Sequence, residues 1–243
     1  MWEHTLPVVW EFTWPLLITM YAVVLVHGCG HLIAARLLGI GVETISIGLG
    51  PKLAAFPRDN PFWRICWLPV GGYVRLQTAY EDEGSYGKKI AVSCSGPLLS
   101  VLFAFAIFFV LFAIKGVPAI EGREFKLLQL SIVDSVPAAM RSLVWTWRVW
   151  TIGDLITFFP AYNSAVTWWF FLVAICSSKF GILNLLPLPT LDGWSILRLI
   201  LASFAGAETA AKTMKWLLWF VIGLLTMVVA YVIWLDLVEF GIV

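Results

Sequence analysis

The chain has 243 residues, of which 60% are hydrophobic and only 13% are charged, and its mean hydropathy is +0.89. This composition excludes an ordinary soluble domain and indicates a membrane protein. The formal net charge of +1 gives no basis for binding nucleic acid. The sequence therefore predicts a polytopic α-helical protein of the lipid bilayer.

A helix needs about 20 predominantly apolar residues to cross the roughly 30 Å hydrocarbon core of a bilayer. Four stretches of the sequence meet this length, and we expect them to form four transmembrane helices. In chain order, the predicted spans cover about residues 15–38, 90–114, 164–187 and 214–236.

A β segment is predicted between the first two spans, over about residues 42–77. The segment alternates, is rich in β-branched and aromatic residues, and is punctuated by Gly and Pro, which favours short strands over helix. Strands at a membrane surface must hide their backbone polar groups in protein or water. The segment is either a docking edge for a partner strand or a hairpin that caps the helices.

Residues 137–160 mix tryptophans with arginine and aspartate, which suits a helix lying in the membrane interface. A fifth span is the alternative, and it would put the two termini on opposite faces of the membrane.

The distribution of basic residues predicts the orientation. Seven lie in 36–89 and three in 198–215, which places both segments in the cytoplasm and both termini outside it. The five basic residues of 115–148 oppose this arrangement.

Two histidines in the first span form a candidate metal-binding pair. His27 and His31 are four residues apart, so they share one face of a helix and can reach one metal ion. Polar side chains at membrane depth are costly unless they are functional. The alternative is a pair of histidines that hydrogen-bond to neighbouring helices.

The segment from Asn184 to Gly193 contains a helix break and a carboxylate. Pro187 and Pro189 interrupt an apolar region, and the freed carbonyl groups indicate a cavity. Asp192 follows, and a carboxylate at membrane depth usually faces a cation, a metal or water. Together with the two histidines it would complete a three-ligand zinc site with a fourth position open.

Nearly the whole chain resembles the site-2 proteases, which are polytopic zinc metalloproteases that cut transmembrane helices within the bilayer. The resemblance rests on motifs in the family's order: His27-Gly-Cys-Gly-His31, Ser46-Ile-Gly-Leu-Gly50, Leu68-Pro-Val-Gly-Gly-Tyr-Val74, Ser95-Gly-Pro97 and Asn184-Leu-Leu-Pro-Leu-Pro-Thr-Leu-Asp-Gly193.

This resemblance implies roles for individual residues. His27, His31 and Asp192 match the family's zinc ligands. The residues that match its substrate-binding positions are Asn184, Pro187 and Pro189 at the cavity, and Gly71 and Gly72 in the β segment that would hold an unwound substrate as an added strand. The implied partner is a transmembrane helix of another membrane protein.

The main departure from the family lies between the two histidines. The family motif H-E-x-x-H carries a glutamate that takes a proton from zinc-bound water and passes it to the leaving amine, and Gly28 stands at that position. A positioned acid–base group contributes about 10²–10⁴-fold to rate, and neither Glu43 nor Cys29 is a convincing substitute. Gly28 is expected to accommodate a closely packed neighbour or a ligand.

Further departures are Ser100, where the family usually has asparagine, and Trp194-Ser195, which replace the usual small residue and histidine. Residues 115–141 are too few for the PDZ domain that many members carry. We expect one membrane domain over 1–243, without a PDZ domain.

The leading hypothesis is a zinc-binding but proteolytically impaired pseudoprotease that binds a membrane segment or supports a membrane complex, in a prokaryotic plasma (inner) membrane. The second is an active intramembrane metalloendopeptidase with a substitute general base. The third is a purely structural subunit of a membrane assembly.

Overall fold

The computed structural model describes residues 2–56, 61–77, 85–115, 117–121, 124–128, 132–145 and 165–239. The elements in chain order are α1 (Trp2–Leu37), β1 (Val42–Phe56), β2 (Phe62–Leu76), α2 (Tyr86–Lys115), β3 (Val117–Glu121), β4 (Glu124–Leu128), α3 (Ile132–Trp145), α4 (Ala165–Asn184), α5 (Asp192–Ala205) and α6 (Ala207–Glu239). This part of the chain is mostly helical, and its strands pair as β1 with β2 and β3 with β4.

Four of the described helices are long and apolar enough to cross a membrane, over Thr13–Leu37, Tyr86–Lys115, Val166–Asn184 and Ala207–Tyr231. Within the part of the chain that the structure describes, each of the four predicted spans is matched by one of these helices. Helices α1, α2 and α4 pack against one another, whereas α6 packs against α5. The helix α1 extends upstream of the predicted start at residue 15, to Trp2.

The central helix is α2, and small residues let its neighbours approach it closely. Its buried face includes Gly96, Ser100 and Ala104, which recur every four residues. On α1, Gly30 lies against the backbone of Ser95 and Gly96, and Gly181 on α4 lies against Pro97 and Ser100. Small residues at this spacing allow helix backbones to come together in a membrane. Farther along α2, an aromatic cluster that includes Phe108, Phe112, Trp168 and Phe171 fills the core between α2 and α4.

The predicted β segment forms an antiparallel sheet of two long, irregular strands, β1 and β2. Thr44 lies opposite both Phe62 and Arg75, and Ile47 lies opposite both Ile65 and Gly72, so the first half of β1 pairs with two parts of β2. The hydroxyl of Tyr21 on α1 donates to the carbonyls of Cys66, at 2.7 Å, and Trp67, at 3.0 Å. The sheet is therefore tied directly to the first helix.

Two features between α2 and α4 differ from the sequence-based expectation. A second hairpin, β3 with β4, pairs from Val117 opposite Leu128 to Glu121 opposite Glu124 and was not predicted. Helix α3 begins at Ile132, before the predicted start of the interfacial helix at Pro137. The remainder of the predicted helix, 146–160, lies outside the described residues, so the choice between an interfacial helix and a fifth span stays a prediction.

Candidate metal centre

The structure brings three of the sequence-predicted residues together. His27 and His31 project from successive turns of α1, and their Nε2 atoms lie 3.1 Å apart. Oδ2 of Asp192, the first residue of α5, lies 2.9 Å from Nε2 of His27 and 3.4 Å from Nε2 of His31. One ligand atom from each residue falls within 4.8 Å of the other two. These atoms could hold a single metal ion.

The break between α4 and α5 places Asp192 at this cluster. After Asn184 the chain is irregular up to Leu191, because the two prolines cannot continue the helix. Thr190 has a φ of 76°, a left-handed conformation that is strained for a β-branched residue. Gly193 lies so close to the carbonyl oxygens of Leu185 and Leu186 that a β-carbon would collide with both. The chain is thereby turned tightly just where Asp192 begins α5.

The helix α2 supplies the partners of both imidazoles on the side away from Asp192. Nδ1 of His31 lies 2.7 Å from the carbonyl oxygen of Val92, and Nδ1 of His27 lies 3.2 Å from Oγ of Ser100. The α-carbon of Gly96 lies against the His31 ring. Such outer partners fix the orientation of metal-ligating histidines.

The chemistry of this donor set fits a zinc ion. A carbonyl oxygen only accepts hydrogen bonds, so a neutral His31 must carry its proton on Nδ1 and present a lone pair on Nε2. That lone pair points toward the carboxylate of Asp192 and the ring of His27. Oδ2 of Asp192 is buried, and among the described residues no hydrogen-bond partner contacts it apart from the two imidazole Nε2 atoms. Electron-rich atoms converging in this way are satisfied together by a cation, and zinc favours this set of nitrogen and oxygen ligands.

The predicted substrate-cavity residues lie at the end of α4. Asn184 is its last residue and is 8% exposed, and its Nδ2 donates to the carbonyl of Phe180 at 2.8 Å. The ring of Phe180 meets that of His27 edge-on, with centroids 5.0 Å apart. Pro187 is exposed and Pro189 is partly exposed in the irregular segment. Asn184 therefore braces the helical turn whose aromatic ring covers one of the two imidazoles.

Gly71 and Gly72 lie in β2. A β-carbon at Gly72 would collide with the carbonyl oxygen of Ser46 and would come within 3.1 Å of Cγ1 of Val24. Since Val24 precedes His27 by three residues on α1, Gly72 lets the sheet pass close to the helix that carries the histidines.

Gly28 faces open space. A β-carbon at this position would meet nothing within 4 Å, so the expectation of a closely packed neighbour is wrong. The crowded glycine of this helical turn is instead Gly30, which faces α2. A side chain that begins at position 28 therefore meets no steric obstacle at its β-carbon.

The profile of peptidase family M50 matches residues 15–230. The chain belongs to this family, which is the family of the site-2 proteases. Together with the four candidate spans, this membership makes the chain a multi-pass membrane protein. The match runs from the first span to the last described helix.

Several bacterial proteins that are similar to this chain are named "Putative zinc metalloprotease". The chain is 34% identical to one from Mesorhizobium japonicum over 126 residues, which are 42% of this chain and 34% of the relative. It is 32% identical to one from Brucella suis over 125 residues, 42% of this chain and 33% of the relative. It is 34% identical to one from Chlamydia trachomatis over 113 residues, 38% of this chain and 18% of the relative. The matches thus span between 18% and 34% of the length of these relatives.

The M50 motifs did not lead us to the partners of the histidines on α2. Ser100 stands in the sequence analysis only as a departure from the family pattern, Gly96 only as part of the Ser95-Gly-Pro97 motif, and the carbonyl of Val92 not at all. A signal was present in the sequence, because Gly96, Ser100 and Ala104 form a small-residue stripe of the kind that lets another helix pack closely.

Proposed function

We propose that the chain is a zinc-binding, proteolytically impaired member of the site-2 protease family that binds a membrane segment or supports a membrane complex. The observation that carries this proposal is the convergence of His27, His31 and Asp192, with Gly28 at the general-base position. The three residues that would hold a catalytic zinc ion lie close enough to share it. The position that carries the proton-transferring glutamate in the family is occupied by Gly28.

The residues that would bind zinc in an M50 protease are present in this chain, whereas the residue that would transfer protons is not. Bound zinc would supply Lewis acidity and lower the pKa of a ligated water to about 7. The two histidines and the aspartate would hold and orient that ion. Gly28 has no group to accept the water proton or to deliver it to the leaving amine, and the missing group corresponds to about 10²–10⁴-fold in rate.

The β1–β2 sheet offers a surface for an apolar segment. Ile47, Phe56, Trp63 and Ile65 line an open apolar groove of about 270 Å³ on it. Other large apolar side chains of β1 and β2 are 45–69% exposed: Leu49, Leu53, Trp67, Leu68 and Val70. Exposed apolar patches of this kind are typical of protein or membrane interaction sites. We propose that the occupant is a transmembrane segment of another membrane protein, in a prokaryotic plasma membrane, with both termini of this chain outside the cytoplasm.

An active enzyme with a substitute base is the second candidate function. The open space at Gly28 favours it, because a carboxylate from a bound partner could enter there. Among the described residues, the group able to hold a metal contains no carboxylate besides Asp192. A carboxylate of another molecule, or of a part of the chain that the structure does not describe, could serve as the base beside this group.

Metal content tests the retained site. The full chain is purified in detergent without a metal-affinity step, and its zinc is measured by mass spectrometry. We expect about one zinc per chain, lost in His27→Ala and in Asp192→Ala. His4→Ala, which changes the third histidine of the sequence, is the control and should retain the ion. A metal-free native chain that takes up no added zinc would favour a purely structural subunit.

Restoring the missing base tests the impairment. Native chain, Gly28→Glu, Gly28→Gln and Gly28→Ala are reconstituted into liposomes with a set of single-span reporter helices. We expect cleavage only with Gly28→Glu. The glutamine variant reproduces the size of glutamate, and the alanine variant reproduces the gain in helix propensity, but neither side chain can transfer protons. Zinc-dependent cleavage by the native chain would overturn the pseudoprotease proposal and establish the second candidate.

A further inference from the structure

The hydroxyl of Ser100 contacts a candidate metal ligand, a role that none of the sequence motifs described above gives to it. It lies 3.2 Å from Nδ1 of His27, on the side of the ring opposite to Asp192. Ser100 is fully buried, so bulk water does not take its place as the hydrogen-bond partner of this nitrogen.

Ser100 is held from several sides. Oγ of Ser177 on α4 donates to the carbonyl oxygen of Ser100 at 2.9 Å. A β-carbon on Gly181 would come within 2.9 Å of Cβ of Ser100, which shows how closely α4 approaches here. The junction between α2 and α4 thus fixes where the Ser100 hydroxyl meets His27.

The chemical need for this hydroxyl follows from the ligand geometry. If Nε2 of His27 gives its lone pair to a metal ion, the neutral ring carries its proton on Nδ1, and that N–H requires an acceptor. If Nε2 instead carries the proton and donates to Asp192, Nδ1 becomes an acceptor and requires a donor. A hydroxyl can do either, since it both donates and accepts. Alanine can do neither.

We propose that Ser100 is the positioning residue of the metal centre, which holds the His27 imidazole with Nε2 directed at Asp192 and His31. The proposal rests on the proposed zinc site and adds to it the residue that orients one of the ligands. His31 is oriented differently, by the backbone carbonyl of Val92. Removing a side-chain hydroxyl from α2 therefore removes the partner of His27 but not that of His31.

Zinc affinity is the first test. Competition with a chelating dye is measured for the native chain, Ser100→Ala, Ser100→Thr and Ser177→Ala. Loss of such an outer partner weakens metal binding by about 10–100-fold, which we expect for Ser100→Ala, with recovery in Ser100→Thr. Ser177→Ala removes a buried hydroxyl from the same helix junction without touching His27, and it should bind nearly as the native chain does. The d–d spectrum of bound Co²⁺ should change in Ser100→Ala alone.

The second test needs no metal. In chains labelled with ¹⁵N-histidine, the three histidines of the sequence give separate ring signals, which His4→Ala and His31→Ala assign. We expect Ser100→Ala to shift the Nδ1 signal of His27 in the metal-free protein and to leave those of His4 and His31 in place. Ser177→Ala should leave all three in place.

The two tests separate the two proposals. A native chain that binds no zinc refutes the retained site, and the metal-free spectra then decide the role of Ser100 alone. Equal zinc affinity of Ser100→Ala and the native chain overturns the positioning role even though the zinc site stands. An unchanged Nδ1 signal of His27 in Ser100→Ala also overturns it.

Discussion

The α-carbon of Gly96 lies directly against the imidazole of His31, so closely that a β-carbon at position 96 would occupy the space of the ring. A glycine on α2 thus sets the position of a candidate metal ligand on α1. The absence of a side chain has a chemical consequence here, since it leaves Nε2 of His31 within reach of Asp192.

Gly96→Ala is expected to displace His31 and to weaken zinc binding by at least about 10-fold, comparable to losing a ligand-orienting partner. The measurement is zinc competition together with thermal unfolding in detergent. Gly223→Ala is the matched control, because a β-carbon there meets nothing within 4 Å and α6 is helical around it. Native zinc affinity in Gly96→Ala would contradict the close packing of this ring.

Zinc is expected to stabilise the fold, because the three ligands come from two helices that are far apart in the sequence. Binding to the folded state alone stabilises it by about 2.7 kcal/mol at a free zinc concentration of 100 times Kd. The thermal midpoint of the native chain should fall after chelation and recover with added zinc. Asp192→Asn should show neither change, and an equal response of that variant would place the stabilising ion elsewhere.

Tyr21→Phe is expected to loosen the β1–β2 sheet from α1. The hydroxyl that this substitution removes donates to the carbonyls of Cys66 and Trp67. One such hydrogen bond contributes about 1 kcal/mol to stability. Hydrogen exchange followed by mass spectrometry should quicken in β2 and stay unchanged in α6. Tyr231→Phe, at an exposed position on α6, is the control. Unchanged exchange in β2 would show that the sheet is held by packing alone.

Thr190→Gly is expected to stabilise the protein by about 1 kcal/mol. A non-glycine residue at positive φ is strained by about 1–3 kcal/mol, whereas glycine adopts this conformation freely but adds about 1 kcal/mol of unfolded-state entropy. Thr213→Gly, at an exposed position within α6, should destabilise instead. The two thermal midpoints should move in opposite directions, and a fall for both would mean that the Thr190 conformation carries little strain.

Much of the architecture follows from the local pattern of the sequence. Apolar stretches of about 20 residues predict spanning helices because the bilayer thickness fixes the length of helix required. The alternation in 42–77 predicts strands because side chains in a strand point to opposite faces by turns. The second hairpin at 117–128 lacked such a clear pattern and was missed.

The sequence by itself named His27, His31 and Asp192 and showed that glycine stands at position 28, because spacing within a helix and matching motifs are properties of the chain alone. Only the tertiary structure decided that the aspartate reaches the histidines, that Ser100 and the Val92 carbonyl face their Nδ1 atoms, and that Gly28 faces open space. These relationships depend on how α2 packs between α1 and α4. That packing is set by contacts between residues distant in sequence, which no local pattern specifies.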